Sequence, residues 1–416
     1  MGAQLTIIAA TGDHANSGLP GISVQPRRHQ AKVSVSSQGI SLWQIFPHTA
    51  NRLVESPWAG RGWTFQEGYL SRRRLIFTDH QVSFLCNTMF ATESVRQAPF
   101  TLTPVGIAVF QNIIPSTETW KHFPKLITEY TTRRLRYSSD ALLALLGILH
   151  SLETAGVRHL WGVPFDAGRI ALDWHHGDTV ATRRAEFPSW SWAGWDGKAQ
   201  VFWKFHDELL SKVYMKDDHQ ELQEIGSFRV AFHTQLPTPK HMYISAPVIS
   251  LSFKNIIWDN DRKSAPTIVK WQNKDKSYTE DTYKLRRSDG LHIQLPISPH
   301  LAALAYVHMD DTQTPLDGLM GLALERKSSL NGPYFYTHYH SILVIKGTSD
   351  GSHERVGMAW VRPFEVAPHK HWQGLHNPPM AFADDDGNLL DNVDIPFDGT
   401  EHEWIKGLER QLIKLE

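Results

Sequence analysis

The sequence predicts an α/β N-terminal part with a helical hairpin, followed by a β-rich C-terminal domain. Three observations predict it. Residues 4–10 form an apolar run of strand-forming residues ahead of helical patterns. Two further helical patterns fill residues 116–149, separated by a short connection. From about residue 201 onward the apolar runs become short and alternate with turn residues, as in a domain of many strands.

Taken in order, residues 4–10 suit a central parallel strand, and residues 11–21 (TGDHANSGLPG) form a loop dense in Gly, Asn, Asp and Pro. Residues 33–45 alternate in the manner of a strand. Residues 57–70 suit a short helix, with Pro57 in the first turn, where its missing N–H costs nothing. Trp63, Gln66, Glu67 and Leu70 recur at three- and four-residue steps and share one face. Gly60, Gly62 and Gly68 each weaken that helix by up to ~1 kcal/mol, which suggests close backbone approach or a cap. Arg72, Arg73 and Arg74 follow as a basic turn. Residues 75–77 and 81–86 then form a hairpin about Thr78, Asp79 and His80, with Val82 and Phe84 alternating against Gln81 and Ser83.

The helical hairpin comes next. Trp120, Phe123, Leu126, Ile127 and Tyr130 keep to one face of the first helix. Ser138 and Ser139 can cap the second, and Asp140 is favourable in its first turn. Leu142, Leu143, Leu145, Leu146 and Leu149 make that helix apolar nearly all round, hence buried. The short connection predicts that the two helices pack together. Residues 187–197 (FPSWSWAGWDG) gather three tryptophans. Residues 242–244, 248–253, 291–295, 334–339, 341–345 and 356–361 suit strands, and residues 347–351 a hairpin turn. Thr400 with Glu403 forms a capping-box pattern, and Trp404, Leu408, Leu412 and Leu415 line one face of a closing helix.

Composition excludes several classes. A net charge of −1 over 416 residues gives no overall drive toward nucleic acid or acidic membranes. One cysteine, Cys86, excludes an internal disulfide and a multi-thiolate zinc site, and fits a reducing, cytoplasmic setting. The longest strongly apolar run, residues 141–149, is too short to span a bilayer. Gly2 with Thr6 fits the N-myristoylation pattern, although a buried strand starting at Leu5 explains the same residues, and membrane attachment is not expected. No phosphate-cradling Gly-rich loop and no fixed-period repeat occurs.

These blocks together resemble the fungal heterokaryon incompatibility (HET) domain proteins. The family shows an apolar strand entering a Gly-Leu-Pro-Gly loop, which here is LTIIAATGDHANSGLPG. Its next motif matches Arg61, Gly62, Trp63, Gln66, Glu67, Leu70, Ser71 and Arg73. A later motif matches Tyr137, Ser138, Asp140 and Gly147, another the run from Pro188 through Trp190 and Trp192 to Trp195, and the tail SDGSHERVGMAWVR resembles the family's last β segment. The family's earlier Leu-Ser-Tyr-x-Trp-Gly and Cys-Ile-Gln strands do not occur, and Arg72 stands where the family often has Pro. The resemblance therefore implies an N-terminally truncated HET domain. It divides the chain into a C-terminal HET portion (1–100), the helical hairpin (101–160), a Trp-rich connector (161–200) and the β-rich domain ending in a short helix (201–416).

The resemblance implies a cytoplasmic fungal protein of heterokaryon incompatibility, non-self recognition and programmed cell death, acting through contacts with other proteins and without a cofactor. Two alternatives stand beside it: an NAD-cleaving or other hydrolase of Toll/interleukin-receptor type, by fold-level analogy, and an inactive fragment. Among individual residues, Glu67 is the acid that a catalytic reading would use. The competing reading pairs it with Arg61 or Arg73 as a structural ion pair. Trp190, Trp192 and Trp195 could form a ligand platform, but their alternation with Ser189 and Ser191 fits a core brace with one wet face. No metal site is expected: the pairs His175–His176, His338–His340 and His369–His371 lack an organising third ligand. Cys86 with His80 lacks an orienting third group and fits a structural cysteine. Residues 384–388 fit an acidic solvent turn rather than a calcium loop.

Overall fold

The computed structural model describes residues 3–14, 16–22, 25–35, 39–86, 89–94, 122–166, 169–177, 179–201, 207–217, 219–227, 240–258, 267–272, 278–283, 289–298, 300–330, 336–361, 380–384, 386, 388–396, 405 and 407–416. It divides into two compact units, Met1–Arg158 and His159–Glu416. The first is α/β and the second is β-rich.

In the first unit, β1 (Thr6–Ala9) pairs in parallel with β4 (Arg73–Phe77), and β4 continues antiparallel into β5 (Val82–Cys86) and β6 (Phe90–Thr92). β2 (Lys32–Val35) and β3 (Ile40–Trp43) form a separate antiparallel ribbon. Among the described residues β1 is thus an edge strand, not a central one. Its burial says why: Ile8 is fully buried while Leu5 and Ile7 are exposed, so only one face is covered. The short helix α1 (Thr49–Val54), capped by the His48 ring accepting from the Ala50 N–H, covers that face. Ala50 and Leu53 pack there with Ile8, Ala10, Ile76 and Leu85.

The next helix, α2 (Gly62–Leu70), starts later than residue 57 because backbone groups before it are engaged elsewhere. Arg134 N–H donates to Gly60 O at 2.8 Å, and Gly62 N–H donates to Arg134 O at 2.9 Å. A Cβ on Gly62 would stand 2.3 Å from Leu135 Cδ2, so the close approach expected of these glycines occurs there. The face that α2 buries is Gly62, Phe65 and Tyr69 with Thr64 and Gly68; the expected face of Trp63, Gln66, Glu67 and Leu70 is the outer one. Small residues let that inner face sit close, and two aromatic rings fill the space beside them.

α3 (Phe123–Thr131) buries Phe123, Leu126, Ile127 and Tyr130, the expected stripe; Trp120 lies outside the described residues. α4 (Asp140–Thr154) has Asp140 in its first turn, but the Ser139 side chain makes no capping bond. Burial of α4 is one-sided: Leu143 and Leu146 are 40% and 42% exposed. The helical hairpin also needs correcting. The main helical neighbour of α4 is α2, while α3 meets it through the Tyr130 hydroxyl, which donates to Ala141 O at 2.6 Å.

The second unit is built on a twelve-stranded sheet. Nine of its strands run in the order Leu222–Glu224, Lys212–Lys216, Met242–Ser250, Met320–Leu330, Tyr336–Gly347, His353–Val361, Leu301–Met309, Gly290–Ser298, Ser252–Ile256, and Asp207–Leu209, Met380–Ala383 and Arg410–Leu415 pair off that path. The expected strands at 334–339 and 341–345 meet in one strand, Tyr336–Gly347, which turns through Thr348–Ser352 into His353–Val361; residues 334–335 lie outside the described residues. Ile293, Leu295, Ala305, Val307, Ile342, Val344, Ala359, Val361 and Phe382 form its main core.

The closing helix is a further correction. Thr400, Glu403 and Trp404 lie outside the described residues, and Arg410–Leu415 is a strand. It runs antiparallel to Met242–Ser250, from Met242↔Leu415 to Pro247↔Arg410. Ile413 and Leu415 alternate inward against Leu412 and Lys414, so strand pairing overrides the helical spacing of the leucines. The two leucines that would share a helical face are therefore unequal. Leu415→Ala is expected to destabilise the second unit by about 2–5 kcal/mol, and Leu412→Ala by less than about 0.5 kcal/mol, as read by urea unfolding; equal effects would contradict the strand.

Candidate functional site

The polar cleft of the first unit lies where its parallel strands end, the position at which open α/β sheets hold ligands. Its volume is about 320 Å³, and it is lined by Ala10 and Thr11 after β1, Gln25, Arg28, Arg52 and Glu55 of and after α1, Ser56, Pro57, and Asp79 after β4. The strand ends fix the backbone. Ala10 N–H donates to Phe77 O at 2.9 Å, and Arg28 N–H donates to Asp79 O at 2.7 Å. Asp79 gathers the cations. Arg28 Nε approaches its carboxylate at 2.9 Å, Arg52 Nη2 at 3.1 Å, and the His80 ring at 2.9 Å. Burial alone would raise the Asp79 pKa, but hydrogen bonds and charge from His80 and Arg52 outweigh it and hold the carboxyl below its ordinary value. Of these residues the sequence reading weighed only His80, as a partner for Cys86; Asp79 and His80 otherwise read as an ordinary turn.

The expected motif residues sit on and around α2, outside that lining. Arg61 takes the N-cap position, and its carbonyl accepts from Thr64 Oγ1 at 2.8 Å. Trp63 is 39% exposed and donates its indole N–H to the Asp140 carboxylate at 2.9 Å. Gln66 Oε1 accepts from the Gly147 N–H at 3.1 Å, which ties α2 to α4. Ser71 Oγ lies 2.6 Å from Thr6 Oγ1 and so ties α2 to β1. Arg73 and Glu67 are exposed, and no ion pair to Glu67 occurs among the described residues, so the structural pair with Arg61 or Arg73 is not formed. The buried arginine is Arg74, which donates to the carbonyls of Gly68 and Tyr69 at the end of α2, and burial lowers its pKa to about 10. Period-two alternation with Ile76 was the signal that would have found it.

The second unit carries a buried polar brace. Arg355 is fully buried, with Nε donating to Asp310 at 2.9 Å, Nη1 to Leu172 O at 2.8 Å and Nη2 to Trp174 O. Its guanidinium lies 3.3 Å from the Trp174 ring centroid. Burial lowers the Arg355 pKa and Asp310 opposes that shift. Trp190, Trp192 and Trp195 are buried beside this brace, and each indole N–H reaches a carbonyl: Lys240 O at 2.9 Å, Gly162 O at 2.8 Å and Ser189 O at 2.8 Å. Ser189 and Ser191 are buried too, so the expected wet face does not exist. Residues 192–194 make a 3-10 turn, not a strand. Ser191 Oγ donates to Trp161 O at 2.6 Å, holding a turn in which Trp161 and Gly162 both have positive φ, 49° and 81°. This is packing work, and no ligand platform is exposed.

The histidines follow local needs. His175 turns to His308 and Trp360, with Nδ1 accepting from the Gly177 N–H at 2.8 Å, while His176 turns to Lys198 O and Asp310. Burial is the main cause that lowers the pKa of both, His175 to about 2. The His338 side chain and His369 and His371 lie outside the described residues. His241, Asp350 and Glu416 each offer a ligand atom within 4.8 Å of the others, at half-buried to exposed positions. Cys86 is half-buried and pairs with Arg73 at the end of the hairpin opposite His80, so those two are not brought together. Asp384 accepts from Asn388 N–H at 2.7 Å in a surface turn; Asp385 and Gly387 lie outside the described residues. No described helix is long and apolar enough to cross a membrane.

With these positions established, comparison with known proteins places the first unit. The family model for heterokaryon incompatibility protein (HET) matches residues 1–67. This segment is similar to that family, and the match is consistent with the resemblance read from the sequence. It takes in β1, α1, the start of α2, the motif residues Arg61, Gly62, Trp63, Gln66 and Glu67, and every cleft residue named above except Asp79. No curated protein and no solved structure matches the chain.

Two measurements probe the brace. Asp310→Ala leaves the Arg355 charge buried without its carboxylate and is expected to cost about 3–5 kcal/mol in urea unfolding; a loss under about 1 kcal/mol would refute the pairing. The second concerns acid. His175 stays neutral in the folded unit, whereas an unfolded histidine protonates near 6.5. Below that pH the unfolded chain binds more protons, so this contribution to stability is whole above about pH 7 and declines as pH falls, by up to about 1.4 kcal/mol per pH unit. His175→Gln should flatten the fall between about pH 6.5 and 4.5; an unchanged slope would show that His175 protonates without penalty.

Proposed function

We propose that the chain acts in the cytoplasm as a fungal HET-family protein of heterokaryon incompatibility, joining non-self recognition to programmed cell death through contacts with other proteins. The family match over residues 1–67 carries this reading. The motif Arg61, Gly62, Trp63, Gln66 and Glu67 within it supports the same assignment. Glu67 is exposed, with no hydrogen bond or ion pair to its carboxylate among the described residues. That exposed position outside the cleft supports a role in surface contact. Inducible expression in a filamentous fungus tests the reading. Growth arrest with loss of viability is the expected outcome, and normal growth at protein levels confirmed by immunoblot would overturn it.

A further inference from the structure

We propose that the surface where the start of α2 meets residues 133–137 docks an acidic segment of another protein, rich in Asp and Glu. The first ground is charge that the first unit gathers without neutralising. Backbone bonds hold the two segments side by side: Arg134 N–H donates to Gly60 O, Gly62 N–H donates to Arg134 O, and Arg61 and Arg134 form an isolated β-bridge. Arg133 donates from Nη1 to Arg61 O at 3.3 Å, with its guanidinium 4.5 Å from the Phe65 ring centroid. Arg136 follows on the same segment. Arg61, Arg134 and Arg136 are exposed, Arg133 is half-buried, and among the described residues no carboxylate forms an ion pair with any of the four. The nearby acids are committed or set apart. Glu129 lies 3.7 Å from Lys125, Asp140 accepts from the Trp63 indole, and Glu67 stands a full turn beyond Trp63 along α2. Like charges held together with no paired carboxylate cost stability, and a local rule broken in this way marks a surface kept for a partner.

The second ground is residue type. Trp63 and Tyr137 stand beside these arginines, 39% and 58% exposed, and the Arg136 guanidinium lies 5.4 Å from the Tyr137 ring centroid. Trp, Tyr and Arg are the side chains that most often carry the binding energy between proteins. The bond to Asp140 already orients the Trp63 ring, so little freedom is lost when a partner covers it. An arginine fork pairs with a carboxylate through two parallel hydrogen bonds, which gives each contact a direction as well as a charge. Nucleic acid and acidic bilayers fit less well, since both call for a broad positive field and the whole chain carries a net charge of −1.

The inference rests on contact with other proteins as the mode of action, but it is read on the purified full chain and so fails separately from the growth assay. Fluorescence anisotropy with a fluorescein-labelled peptide of alternating Glu and Gly tests it, against the same peptide with Gln for Glu and a labelled oligothymidylate. The Glu peptide is expected to bind about tenfold or more tightly than the Gln peptide, and to release as salt is raised. Arg134→Glu combined with Arg136→Glu, at exposed side chains, should weaken that binding about tenfold or more. Arg72→Glu, exposed beyond the far end of α2, should leave it within about twofold. Circular dichroism confirms that the variants fold. The proposal is overturned if the Glu peptide binds no more tightly than the Gln peptide, if the oligothymidylate binds more tightly than either, if vesicles of phosphatidylserine sediment the chain while the Glu peptide fails to bind, if the folded double variant binds like the parent, or if Arg72→Glu weakens binding as much as the double variant.

Discussion

A guanidinium sealed from water must place its protons on protein acceptors, and Arg355 imposes that demand on the second unit. Its acceptors come from three places: Asp310 after Leu301–Met309, and the carbonyls of Leu172 and Trp174. The Arg355 N–H donates to Ser189 Oγ, which brings in the tryptophan-rich turn. Charged groups are rarely buried whole because the desolvation cost is large. Once one is buried, every element that supplies an acceptor is held to a single geometry. The three tryptophans fit around that geometry, and the close contact at Gly194, where a Cβ would meet Pro188 O at 2.3 Å, leaves the turn no room to shift.

The first unit repeats the device on a smaller scale. Arg74 reaches back from β4 to the last carbonyls of α2, where cations are favoured by the helix dipole and by unpaired carbonyl groups. The motif that resembles the HET family thereby gains a physical account. Gly62 permits close approach to Leu135 and Arg134, Gln66 clips α2 to the backbone of α4, and Ser71 clips it to β1. Most motif side chains position the helix, while the open polar space lies at the strand ends, between α1 and the Asp79 turn.

Sequence patterns exposed the parts governed by local rules. The strand at β1, the hairpin of β4 and β5, the α3 stripe and the start of α4 follow from periodicity and turn chemistry. The HET resemblance was legible because Arg61, Trp63 and Glu67 keep a fixed spacing. What stayed hidden depended on distant partners. Leu408, Leu412 and Leu415 fit a helix until Met242–Ser250 offers a strand to pair with. Leu143 and Leu146 are spaced as a buried helix would be, yet α4 is covered on one side. Arg28, Arg52 and Asp79 are far apart in sequence, and nothing local marks them as one cluster. Arg355 has a weak signal in retrospect, as a charge beside Glu354 at the head of the apolar run Val356–Val361.

The pairing of Ser189 with Glu416 joins residues 227 positions apart. Contacts of such long range carry a heavy loop-closure cost before they return any stabilisation, and domains dominated by them fold slowly. The described sheet and helices of the first unit pair within Met1–Arg158. The order of maturation is thereby written into the topology. The amino-terminal unit can form while the carboxyl-terminal sheet still waits for its last strand, and until that strand pairs, the edge along Met242–Pro247 stays open.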